Sequence, residues 1–131
     1  MKNWVKPIIA GLLSLVFIEA CSNSMQSSGQ VTLNPGDNFQ QANDNFPSGT
    51  VFLVRAGLHS KQRVHNPKEG NVWLGEEGAV LDGDSYISAA FTGEAVNVAI
   101  HGIEIKNYVD NGIFFDAGNN VILKRLKISD T

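Results

Sequence analysis

Residues 97–105 read NVAIHGIEI and residues 120–128 read NVILKRLKI. In the first copy the apolar positions are Val98, Ile100, Ile103 and Ile105, and in the second Val121, Leu123, Leu126 and Ile128. Within a copy, alternation of apolar and polar positions marks a strand. The breaks at His101-Gly102 and Lys124-Arg125 mark a bend between two strands. Between the copies, Asp110-Asn111-Gly112 is turn chemistry and Ile113-Phe114-Phe115 supplies a third short strand. A fixed period of this size, 97 to 120, predicts a coil whose successive turns stack and share one core. Strands one turn apart then pair in parallel at about 4.8 Å. Val98 lies under Val121, Ile100 under Leu123, Ile103 under Leu126 and Ile105 under Ile128, and the interior becomes columns of aliphatic side chains.

Further upstream, Asn71-Val72-Trp73-Leu74 followed by Ala79, Leu81, Asp82 and Gly83 fits the same template when two residues are added after Leu74. This alignment turns Val72 and Leu74 inward and Trp73 outward, where an indole can stack on a sugar face or pack under a loop. It also sets Asn71 beside Asn97 and Asn120 in a column of buried amides that hydrogen-bond along the axis. A leucine-rich repeat has a similar period, and Ile100, Ile103 and Ile105 match the start of its pattern. Its Asn should stand two residues further on, yet Asn107 and Asp130 come one place early, and an Ile-Phe-Phe run replaces its convex segment. The coil of strands is the better fit.

Before the repeats, Val31-Thr32-Leu33 forms a first strand and Pro35-Gly36 a turn. Asp37 with Gln40 makes a loose capping box, and Phe39, Ala42 and Phe46 give one apolar face before Pro47 stops the helix. Such a helix covers the otherwise exposed end of the coil. The chain stops at Ile128-Ser129-Asp130-Thr131, just after a core-forming strand. The expectation is the front portion of a longer protein or a truncated product. If the chain ends there, its last strands offer an edge for self-association.

Together with the repeat, PSGTVFLVRAGLHS (residues 47–60) and PKEGNVWLGEEGAVLDG (residues 67–83) resemble the first turns of right-handed parallel β-helix proteins of the pectate-lyase-like superfamily. The resemblance covers residues 31–131 and implies an all-β, right-handed parallel β-helix with a short N-terminal capping helix, truncated at the C-terminus. It is informative about fold and poor about activity, because related scaffolds carry lyases, glycosidases, esterases, epimerases and proteins without a reaction. What it implies is a polysaccharide partner, a lyase or glycosidase activity in a full-length form, inactivity of this piece alone, and, by resemblance only, calcium.

Lys2 and Lys6 precede an apolar run over residues 7–18, followed by Ile18-Glu19-Ala20-Cys21. This is the layout of a secretory signal over residues 1–20, and the run is short for a membrane span. Cys21 is the only cysteine, so no internal disulfide forms. Its position resembles a bacterial lipoprotein box, with Cys21 lipidated and residues 21–30 as a Ser-rich tether, although Glu19 stands where the box has a small residue. Cleavage after Ser22, with Ala20 and Ser22 as the small pair, is the alternative. The expectation is an exported protein of the cell envelope, lipid-anchored at the outer membrane or cell surface, or else secreted or periplasmic.

Without Lys2, Lys6 and Glu19, the totals of 10 basic and 13 acidic residues become eight and twelve, a mildly acidic balance that argues against nucleic acid as partner. Lys124, Arg125 and Lys127 form a basic cluster of the sort a polysaccharide lyase needs for proton abstraction and anion stabilisation. Lys127 also stands one period above Glu104, and an exposed ion pair explains it better. Asp82 with Asp84, and Asp110 with Asp116, allow a carboxylate pair or a calcium site, but Asp beside Gly is first a turn residue. His59, His65 and His101 lack metal-ligand spacing, and no nucleophile, phosphate-loop or CxxC motif is present. Two functions follow: an enzyme acting on acidic polysaccharide, or a non-catalytic surface module binding glycan or protein.

Overall fold

The computed structural model describes residues 29–131. The signal, Cys21 and all but the last two residues of the tether lie outside them. Gln30, the tether's final residue, already belongs to a strand.

The described chain is a parallel β-solenoid of about four turns with one short helix. Strand β1 (Gln30–Leu33) is followed by helix α1 (Phe39–Asn45). Three strands per turn come next: β2 (Val51–Val54), β3 (Gly57–Ser60) and β4 (Val64–His65), then β5 (Val72–Gly75), β6 (Ala79–Asp82) and β7 (Phe91–Val96). The following turn holds β8 (Ala99–His101), β9 (Glu104–Lys106) and β10 (Ile113–Asn119), and the last β11 (Ile122–Lys124) and β12 (Lys127–Ser129). Equivalent strands stack into three sheets, ordered β11-β8-β5-β2-β1, β12-β9-β6-β3 and β10-β7-β4. Every pairing is parallel. No strand-sheet-helix layering of a leucine-rich repeat is present among the described residues.

The repeat predicts its own register. Ile100 pairs with Leu123 and Ile105 with Ile128, one period apart. Across the turn before, the alignment made from sequence is one residue out: Val72 pairs with Ala99 and Trp73 with Ile100. Since a strand's faces alternate, a slip of one exchanges inside and outside. Trp73 is therefore in the core at 0% exposure, and Val72 and Leu74 face outward. The cause is an aromatic stack. Val31, Phe52, Trp73, Ile100 and Leu123 form one column, in which Trp73 lies on Phe52 at 4.2 Å and Phe39 of α1 lies over Trp73 at 5.8 Å. Phe91 meets the indole edge-on at 5.5 Å. The indole N–H is buried without a partner, a cost of about 1–3 kcal/mol. Exposing so large a ring would cost more, since its removal from a core is worth roughly 3–5 kcal/mol.

Asn71 is corrected with it. It falls in register with Val98, and its side chain serves the helix end of the molecule: Oδ1 accepts from the Thr50 amide at 3.0 Å and Nδ2 donates to Asn43 at 3.3 Å. Asn97 and Asn120 do stack, with Asn120 Nδ2 donating to Asn97 Oδ1 at 2.6 Å. Both are exposed corner residues, not buried ones, at φ 56°. Asn is a residue that tolerates this left-handed backbone, which accounts for its recurrence.

At the helix, Asn38 replaces Asp37 as the cap, its side chain accepting the Gln41 N–H at 2.9 Å. Asp37 instead closes the preceding turn by accepting the Asn34 N–H at 2.7 Å, and Gln40 is drawn to β4, accepting the His65 N–H at 2.6 Å. Phe39 and Ala42 are buried as the apolar face requires, and Phe46, outside the helix, is 37% exposed.

Candidate functional site: a cleft beside Tyr86

The residues singled out from sequence do not converge. Lys127 stands 3.9 Å from Glu104 on the outer face of β9 and β12, and Lys124 and Arg125 are exposed at the adjoining corner, where Arg125 has φ 53°. Asp82 is consumed by its turn, accepting the Asp84 N–H at 2.8 Å and the Asn107 amide at 3.1 Å. Asp110 lies at a bend, and Asp116 is the extra residue of a bulge where β10 slips against β7. His59 is buried, its Nε2 at 2.8 Å from the Arg55 carbonyl, so that the proton sits on Nε2. Among the described residues no three His, Cys, Asp or Glu side chains gather as metal ligands, so the calcium implied by resemblance has no donor set there.

The chain brings together a different group. Residues 61–63 connect β3 to β4, residues 86–88 lie between β6 and β7, and Asn38 and Gln40 begin α1. Together they line an open cleft of about 650 Å³. Its walls carry Lys61, Arg63, Tyr86, Ser88 and Asn38, and no carboxylate.

The floor is held from below by Gln62. Its Oε1 accepts the Phe39 N–H at 2.8 Å, its Nε2 donates to the Ser60 carbonyl at 3.1 Å, and its own carbonyl accepts the Tyr108 hydroxyl at 2.7 Å. Tyr108 is buried, and burial, helped by the Asp82 charge, pushes its phenol above the ordinary tyrosine range. Lys61, Asp84 and Ser85 all adopt left-handed backbone, at φ 59°, 57° and 52°. Their amides are secured, Lys61 N–H to the Asp82 carbonyl at 2.7 Å, Asp84 N–H to Asp82 Oδ1 at 2.8 Å and Ser85 N–H to the Asn107 carbonyl at 2.8 Å, and the next amide, of Tyr86, donates to the Gly83 carbonyl at 3.0 Å. This tight turn thrusts Tyr86 into solvent at 74% exposure. The Lys61 ammonium stands 5.2 Å from the centre of its ring and 3.6 Å from Asp84 Oδ2. With so much of the ring in water, the other ring face is open. Arg63 is exposed and makes no ion pair or side-chain hydrogen bond among the described residues.

An exposed phenol ring with cations, an amide and a hydroxyl around it can stack on one face of a sugar and hydrogen-bond its substituents. Sequence reading missed this group because none of its members forms a motif. The signal was the period: Asn38, Lys61 and Tyr86 are separated by about one turn each, which places them at the same corner of successive turns.

No protein-family model matches the chain, and searches of curated proteins and of solved structures each find no match. The pectate-lyase-like resemblance therefore extends to the β-solenoid and no further.

Proposed function

We propose that the chain is an exported polysaccharide-binding protein of the cell envelope that engages glycan through the Tyr86 cleft. The observation that carries this reading is Tyr86 itself, a large ring held 74% exposed by a strained turn above a hydrogen-bonded floor. A phenol ring standing in water presents a flat face that a sugar can cover and a hydroxyl that can bond its substituents. Binding is the reading taken over glycoside hydrolysis because the cleft is lined by cations, amides, hydroxyls and a ring and holds no pair of carboxylates of the kind that reaction uses. Support for export and for lipidation at Cys21 comes from the leader: Lys2 and Lys6, the apolar run, and a single cysteine at its end. A lipid there holds the cleft at a surface where envelope or external polysaccharide is encountered.

The binding reading is tested by electrophoresis through gels containing soluble polysaccharides. The parent chain is expected to be retarded in at least one, and Tyr86→Ala to run freely. Equal mobility of the two proteins in every gel would defeat it. Anchoring is tested separately by fatty-acid labelling, which Cys21→Ser should abolish.

A further inference from the structure

We infer that the outer face of the sheet β11-β8-β5-β2-β1 lies flat on a lipid bilayer, with the Tyr86 cleft turned away from it. The orientation of the cleft rests on the anchoring at Cys21 proposed above. The affinity of the face for lipid does not.

The alternation that puts Phe52, Trp73 and Ile100 inside the coil puts their neighbours outside. By register these outward residues form two columns, one of Val51, Val72, Ala99 and Ile122 and the other of Leu53, Leu74, His101 and Lys124. All but His101 and Lys124 are aliphatic, and neither column holds a carboxylate, although the chain carries 13 acidic residues against 10 basic ones. Ile122 is 52% exposed, and the other aliphatic members are partly exposed. The outer face of the neighbouring sheet is of the ordinary polar kind, with Glu104 paired to Lys127 and Asp82 beside them. Backbone groups of β2, β5 and β8 are spent on parallel pairing from both sides, so the apolar face offers lipid its side chains without unpaired N–H or C=O groups.

Size, tether and position favour a bilayer over a second copy. Five strands at about 4.8 Å spacing and two columns give a face of roughly 300 Å². Two copies joined by it bury roughly 600 Å² in total, about half of what a stable dimer needs. A bilayer needs less from the face, because an anchor at Cys21 already holds the chain at the surface and makes the second contact intramolecular. Cys21 precedes Gln30 by nine residues, a reach of up to about 30 Å, and Gln30 opens the edge strand of this same sheet. At the far end of the second column, exposed Lys124 can reach lipid phosphate while its stem lies along the face. The cleft sits where the other two sheets meet, the corner this sheet does not share. With the face down, the cleft therefore opens to the outside.

The test is flotation of the full chain with a titration of phosphatidylcholine vesicles, using protein made without lipidation in a membrane-free translation system. The leader is present in every variant and contributes the same factor to each. Leu53→Gln combined with Leu74→Gln is expected to lower the partition coefficient roughly tenfold with unchanged circular dichroism, because two aliphatic side chains in register leave the lipid. Val72→Gln, in the other column, should lower it about threefold by itself, so the result does not hang on one pair. Leu58→Gln is the control: Leu58 is 53% exposed on the outer face of the neighbouring sheet, and its loss should leave the coefficient as it was. Equal partition of the parent and the face variants, or an equal fall in Leu58→Gln, overturns the inference and leaves the glycan reading standing. A parent that elutes as a dimer and a double variant that elutes as a monomer in size-exclusion chromatography assign the face to a second copy, and overturn it too. Failure of fatty-acid labelling with the partition difference intact removes the anchor and upholds the face.

Discussion

Ile100 and Glu104 sit four residues apart on opposite faces of one coil, the first at 0% exposure and the second paired with Lys127 at 3.9 Å in water. Ile100→Asp buries an unpaired charge between Trp73 and Leu123, and is expected to cost more than about 4 kcal/mol, enough to abolish cooperative unfolding in a thermal melt. Glu104→Gln removes an exposed pair and should move stability by no more than about 0.5 kcal/mol in the same measurement. Gly75 shows a different constraint. A Cβ there would stand 2.5 Å from the Gly102 carbonyl oxygen and 2.7 Å from Ile103, where the chain of the next turn crosses the corner. Gly75→Ala should therefore destabilise by about 1–3 kcal/mol in urea titration, although alanine is otherwise an ordinary strand residue. Tyr108 adds a pH dependence. Its folded phenol ionises at higher pH than an unfolded one, so its contribution is intact below the unfolded value near about 10 and is lost as pH rises from there towards the folded value. Stability should fall through that alkaline window, and Tyr108→Phe, which also forfeits the bond to Gln62, should flatten the fall. An equally steep decline in the variant would count against this origin.

At the scale of elements, α1 is only seven residues long and cannot persist by propensity alone. It is held by Phe39 in the aromatic stack, by Asn43 bridging to the Lys68 amide, Asn66 and Asn71, and by its Asn38 cap. Asn38→Ala should cost about 1 kcal/mol, read as a lowered urea midpoint with unchanged slope. Because Asn38 also lines the cleft, it is a poor choice for testing the ligand site. The strands differ in how far their order was visible. β8, β9, β11 and β12 repeat one another, so their existence and register could be read directly. For β5 the register depended on how many residues the chain spends around the corners between β5 and β8, which hydrophobic spacing does not report. The outcome was decided by whether Trp73 or its neighbours filled the space beside Phe52.

For the whole molecule, stacking makes stability nearly a sum over neighbouring turns, so protection should follow position along the coil. Amides of β5, β6, β8 and β9, paired on both sides, should exchange more slowly with deuterium than those of β11 and β12, which are paired on one side in this chain. The side chains agree: Ile100 and Ile105 are 0% exposed, while Leu123 and Ile128 above them are 49% and 44% exposed. Uniform exchange across the coil would contradict this picture. By itself the sequence determined the parallel solenoid, the three-strand turn and the columns of residues 98–105 and 121–128, because a repeated alternation admits one consistent stacking with apolar residues inside. Only the tertiary structure decided the inward Trp73, the outward Val72 and Leu74, and the gathering of Asn38, Lys61, Arg63 and Tyr86. Those outcomes depend on the exact path around each corner, where a single residue exchanges the two faces of a strand and backbone hydrogen bonds, not hydrophobic pattern, aim the side chains.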